Sequence, residues 1–152
     1  MLRLIKSLAM HLLLAGTRFA VKSSFGTVGG GVSRSYVGDV ALSAGIAVIA
    51  GAAANSVKLP TAANQRALGV TSLATVNAGD PITVVEQGEV IAIADAAITR
   101  GAWVMINAIT GQLAPVGAVA GTNYEAVGYA LEAAANQGDE FLLFVQPCRV
   151  QG

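Results

Sequence analysis

Apolar residues come along this chain in short runs cut by glycine. Between Ala78 and Asn107 the β-branched run Pro81 to Val85 follows Ala78-Gly79-Asp80, a turn signal in which glycine supplies a positive φ and aspartate can hydrogen-bond its own backbone. Gln87-Gly88-Glu89 punctuates again, and Val90 to Ile93 reads as a second strand. Asp95 to Thr99 reads as a small connection, and Ala102 to Ile106, after Arg100-Gly101, as a third strand. Strands this short and closely spaced predict an all-β fold, a compact antiparallel barrel or sandwich, and leave no room for βαβ crossovers.

The same phrase, a small or polar residue, a glycine and then an apolar strand, recurs at Ala44-Gly45-Ile46, Arg100-Gly101-Ala102 and Gln137-Gly138-Asp139. Its spacing is uneven, so it is repeated turn chemistry and not a solenoid. Gly69 and Gly128 instead sit inside strand patterns, where glycine marks a bulge or the close approach of another backbone. Residues 51–55 and 116–123 read as longer loops and 131–136 as one helical turn. Phe141 to Val145 is the expected last core strand, ended by Pro147.

The first residues follow a different period. Met1, Leu2, Leu4, Ile5, Leu8, Ala9 and Leu12 fall on one side of a helical wheel, with Arg3, Lys6, Ser7 and His11 opposite, which predicts a short amphipathic helix stopped at Gly16. A secretory signal is the competing reading, weakened by His11 inside the apolar run. No apolar run reaches the roughly 20 residues that span a bilayer. Residues 17–22 alternate as an edge strand would, and residues 23–35, rich in Gly and Ser, have a linker's composition. The expected division is therefore an N-terminal arm and linker over residues 1–35 and a β-rich domain over residues 36–152.

Composition adds an asymmetry that the net charge of zero conceals. Arg3, Lys6, Arg18, Lys22 and Arg34 precede Asp39 without a single acid among them, whereas all nine acids lie from Asp39 onward. A basic arm on an acidic body results. Charged residues are only 12% of a chain that is 54% hydrophobic, a balance that suits a surface partly covered by other subunits. Trp103, Tyr124 and Tyr129 are the candidates for a subunit interface, tryptophan and tyrosine being enriched at interface hot spots. The lone Cys148 cannot form an intrachain disulfide.

Catalytic chemistry finds little to work with. The one histidine, His11, lies in the arm, so Ser-His-Asp, Cys-His and multi-histidine metal sites have no imidazole within the body of one chain. Asp80, Glu86, Glu89 and Asp95 are near one another in sequence but lack the alternating oxygen ligands and closing glutamate of a calcium loop. Gly29-Gly30-Gly31 has no lysine placed as in a phosphate loop, and Phe19 and Phe25 alone are thin support for nucleic-acid binding. The expectation is a protein that is not an enzyme and uses no cofactor, metal or nucleic acid.

The order Ala67-Leu68-Gly69-Val70, Ala78-Gly79-Asp80, Ile98-Thr99-Arg100-Gly101-Ala102-Trp103-Val104, Gly111-Gln112-Leu113, Val127-Gly128-Tyr129-Ala130-Leu131-Glu132 and Gly138-Asp139 resembles the capsid cement, or head decoration, proteins of tailed bacteriophages. The resemblance covers roughly residues 39–147. It implies a structural protein on the outside of the virion head, commonly a homotrimer, that clamps neighbouring copies of the major capsid protein. Arg3, Lys6, Leu8, Leu12, Arg18, Lys22 and Arg34 would then form a capsid-binding arm, although the arm is longer than the short N-termini of that family. The alternatives are a peripheral membrane or secreted β-domain held by residues 1–15, and a small-ligand-binding barrel.

Overall fold

The computed structural model describes residues 28–75 and 77–152. The expected amphipathic helix, the alternating stretch over residues 17–22 and the arm residues Arg3, Lys6, Leu8, Leu12, Arg18 and Lys22 lie outside the described residues.

Turn glycines set the strand boundaries much as the recurring phrase requires. Gly45, Gly79, Gly101 and Gly138 have φ of 73°, 89°, 84° and 87°, a left-handed backbone that is costly for any residue with a Cβ. Nine strands run between such turns: β1 Val28–Gly38, β2 Ala47–Ala50, β3 Ser56–Lys58, β4 Gly69–Thr71, β5 Pro81–Ile93, β6 Trp103–Ile106, β7 Leu113–Pro115, β8 Asn123–Ala130 and β9 Glu140–Gln151. The described residues form an all-β fold, as the strand pattern predicts.

The strands make one sheet in the order β1-β3-β2-β4-β5-β9-β8-β6-β7, and β1 also pairs with β5. That extra pairing closes β1, β3, β2, β4 and β5 into a five-stranded barrel, from which β9, β8, β6 and β7 continue as an open sheet. β1 and β3 are parallel, and the other strand pairs are antiparallel.

Two hydrophobic cores follow from this topology. Val48, Val57, Ile82 and Val84 pack with Leu42 and Ile46 in one, while Ala47, Val70 and Val85 join Val90, Val104, Val127, Phe141, Leu143 and Val145 in the other. Adjacent residues such as Ala47 and Val48, or Val84 and Val85, thus serve different cores, because successive side chains on a strand point to opposite faces. Burial on both faces explains why β2 and the first half of β5 read as continuous apolar runs and not as alternation. Thr71 of β4, fully buried, is satisfied by the segment that precedes β2: its hydroxyl lies 2.8 Å from the Ser43 carbonyl, to which it donates, and accepts from the Ile46 amide at 3.1 Å.

Four expectations are corrected. Gln87-Gly88-Glu89 does not divide two strands: β5 is continuous over Pro81–Ile93, with Gly88 at φ 112° where the partner changes from β4 to β9. Pro147 does not end β9, which runs on to Gln151; pairing with β5 stops at Val145, and the proline occupies an irregularity opposite Ala126 to Gly128, where its missing N–H costs no ladder bond. Residues 131–136 form no helical turn but a bent connection, in which Ala134 bridges to Ile98. The stretch taken as linker is, from Val28 onward, strand β1, so the body begins before the expected boundary at residue 36.

Candidate interaction surface

β1 is low in apolar side chains, and polar groups help hold it to β5. Tyr36 donates its hydroxyl hydrogen to Glu86 Oε1, and Arg34 Nε lies 3.3 Å from Glu86 Oε2. The hydrogen bond to the Glu86 carboxylate, followed by desolvation and the carboxylate's charge, holds the Tyr36 phenol above its ordinary pKa. Arg34 therefore stands on β1 of the body, paired with Glu86, and not in a segment that precedes the body. Its side chain is 66% exposed, so the ion pair itself contributes at most about 1 kcal/mol.

The other acids weighed as a paired site are occupied separately. Asp80 accepts from the Asn77 amide at 2.9 Å in the turn before β5. Asp95 accepts from the side-chain amides of Asn107 and Gln137, so it ties the turns after β6 and before β9 together. Among the described residues no group of three or more His, Cys, Asp or Glu is placed to hold a metal ion. Cys148 is a half-buried free thiol, pushed upward in pKa by burial and then by Glu125, which itself pairs with Arg149 through Nε at 2.8 Å. An elevated pKa keeps the thiol protonated and lowers its nucleophilicity.

The three aromatic interface candidates separate. Tyr124 is only 8% exposed, on a strand whose neighbours are Gln151-side residues of β9, and Gly117 and Gly152 leave room for its ring; it is withdrawn as a contact residue because its surface is spent inside the chain. Trp103 and Tyr129 lie together on the outer face. They are cross-strand partners with ring centroids 5.5 Å apart, edge to face, and Tyr129 stacks in turn on Phe144 at 5.3 Å. The row continues to Glu89 on β5 and to Val28 at the start of β1, so Trp103, Tyr129, Phe144, Glu89 and Val28 are successive partners across five strands.

Alternation carries the rest of this face. Val104, Leu143 and Val145 point into the core, so Leu142 and Phe144 of β9 stand on the outer side with Ile91 opposite Leu142, all of them half-buried. Trp103 is 36% exposed. Glu140, the outward residue next to Leu142 along β9, is exposed and edges the patch. Further exposed apolar side chains stand at loops: Val40 and Leu73 beside one end of the barrel, Ile109 and Val119 beyond β6 and β7.

This architecture has a counterpart among solved structures. The crystal structure of the head fiber gp8.5 N base in bacteriophage phi29 superposes with a TM-score of 0.58 over 80% of this chain and 98% of that one, at 19% identity. The two share a fold. No protein-family model matches the chain, and neither does any curated protein.

Phe144, Leu142 and Glu89 were not singled out from the sequence as surface residues. The available signal was the alternation within Phe141-Leu142-Leu143-Phe144-Val145, which is hidden because both faces of β9 are apolar. Asn64 was likewise missed. With φ of 56° it takes a left-handed turn, and its side-chain oxygen accepts from the Glu125 amide at 2.8 Å, fastening the loop before β4 to β8.

Proposed function

We propose that this chain is a structural protein of a bacteriophage head, acting on the capsid exterior as a cement or fiber-base element that binds the major capsid protein. The observation that carries this reading is the likeness in fold to the phi29 head fiber base, which extends over nearly the whole of that chain. The order of turn and strand motifs from Ala67 to Asp139 supports it independently. So does a composition short of charge, as expected of a subunit that is partly covered in an assembly. A homo-oligomer, with a trimer favoured, accompanies this reading.

Attachment falls to the cations that precede the body, Arg3, Lys6, Arg18 and Lys22, together with the leucine side of residues 1–15 that includes Leu8 and Leu12. Positive charge without any acid is drawn to an acidic lattice, so charge governs encounter and its salt dependence. Binding of the full chain to purified capsids tests this. Replacing the four cations by Gln is expected to slow association at least tenfold at low salt and to flatten its salt dependence. Equal rates for the two proteins would return attachment to the body, and an absence of capsid binding by the unaltered chain would remove the reading altogether.

A further inference from the structure

The outer face built on Trp103, Tyr129, Phe144, Leu142 and Ile91 is apolar and runs across β6, β8, β9 and β5, with Trp103 36% exposed and the other four half-buried. We propose that it is the docking surface for the apolar side of this chain's own first fifteen residues, Leu4, Ile5, Leu8 and Leu12. This inference concerns the free protein: the leucine side leaves this face when the chain attaches to a head, and the test below uses no capsid.

Where the chain enters the fold is the first support. Val28 is the partner of Glu89, and Glu89 is the partner of Phe144, so the segment preceding Val28 emerges two strands from the aromatic row, with only β5 between. Length is the second. Strands lie about 4.8 Å apart, which puts Trp103 roughly 19 Å across the sheet from β1. A helix over fifteen residues is about 22 Å long, and the twelve residues that join it to Val28 reach up to about 40 Å when extended. The segment can therefore lie along the row without strain.

Complementarity is the third. The leucine side matches a patch of aromatic and aliphatic side chains, and Lys22 and Arg18, the last two cations before Val28, would pass the acids that edge it, Glu89 and Glu140. Arg3 and Lys6 fall on the opposite side of the wheel. Docking in this way leaves them facing outward, free for an acidic partner.

Trp103 is the chain's one tryptophan and sits on the face, so its fluorescence reports the site alone. In the full chain, Leu8→Ser with Leu12→Ser is expected to shift Trp103 emission to the red and to raise its acrylamide quenching constant at least twofold. Lys6→Gln, on the other side of the segment, should leave both unchanged. Identical emission and quenching in the unaltered and leucine-substituted chains would overturn the proposal. Shielding that vanishes on dilution to nanomolar protein would overturn it too, since it would show a second copy and not the chain's own segment on the face. A face-side variant guards against indirect effects: Glu89→Lys should raise quenching in the unaltered background and have no effect once Leu8 and Leu12 are Ser.

Discussion

Gly128 on β8 lies so close to β9 that a Cβ there would stand 2.0 Å from the carbonyl oxygen of Phe144. Gly69 on β4 meets the Val85 carbonyl in the same way, at 2.2 Å. Neither neighbour is the end of a flexible side chain, so the backbone itself has to move to admit a methyl group. Gly128→Ala is expected to cost about 3 kcal/mol, the upper part of the overpacking range. Gly121→Ala, where φ is 80° but no atom lies within 4 Å of the added Cβ, should cost about 1–2 kcal/mol from backbone strain alone. Urea unfolding of both variants with equal m-values measures the difference.

Truncation separates strand from linker. A protein starting at Tyr36 loses most of β1 and leaves the β5 positions Thr83, Val84, Val85, Gln87 and Glu89 without their partners. It is expected to lose its cooperative thermal transition or to aggregate through the opened edges. A protein starting at Val28 should keep the transition. Indistinguishable melting curves for the two would show that β1 contributes nothing to stability.

Tyr36 makes stability depend on alkaline pH. Its folded-state pKa is raised, first by the hydrogen bond it donates to Glu86, so the folded chain holds that proton more tightly than the unfolded chain does. The associated stability is fully present below the ordinary phenol pKa of about 10 and is lost as pH rises through the folded value. Tyr36→Phe should lower stability by about 1 kcal/mol at pH 7 to 9. Above about pH 10 the gap between the two proteins should close. A gap that stayed constant to pH 11 would remove the link to the hydroxyl.

Thr71 offers a test inside the core. Thr71→Val keeps the shape but strands the Ile46 amide, to which the hydroxyl is 3.1 Å away, and the cost is expected at about 1–3 kcal/mol. Thr71→Ser, which retains the hydroxyl, should recover the part due to hydrogen bonding. Calorimetric melting of the two variants provides the comparison.

Much of this architecture is legible in the residues. The turns at Gly45, Gly79, Gly101 and Gly138 and the close approaches at Gly69 and Gly128 follow from what only glycine tolerates, and they come from local chemistry that a sequence displays directly. The errors share another cause. Gly29-Gly30-Gly31 has a linker's composition, and only its pairing with β5, distant in sequence, makes that stretch a strand. Gly88 looks like a strand end because the change of partner from β4 to β9 is a property of the sheet and not of the residues. Tyr124 and Tyr129, five residues apart on β8, fall on opposite faces by alternation, but which of the two is buried depends on what packs against each face and not on the residues themselves.

The strand that closes the barrel is also the first made among the described strands. β1 leaves the ribosome roughly fifty residues ahead of the part of β5 that it will pair with, a wait of a few seconds at ordinary rates of synthesis. A strand rich in Val and Ile would spend that interval looking for any partner, including a neighbouring nascent chain. Three consecutive glycines and the polar run Ser33-Arg34-Ser35 make β1 a poor nucleus for such pairing. The linker-like composition that disguises β1 is thus what allows an early strand to stay solvated until its late partner arrives.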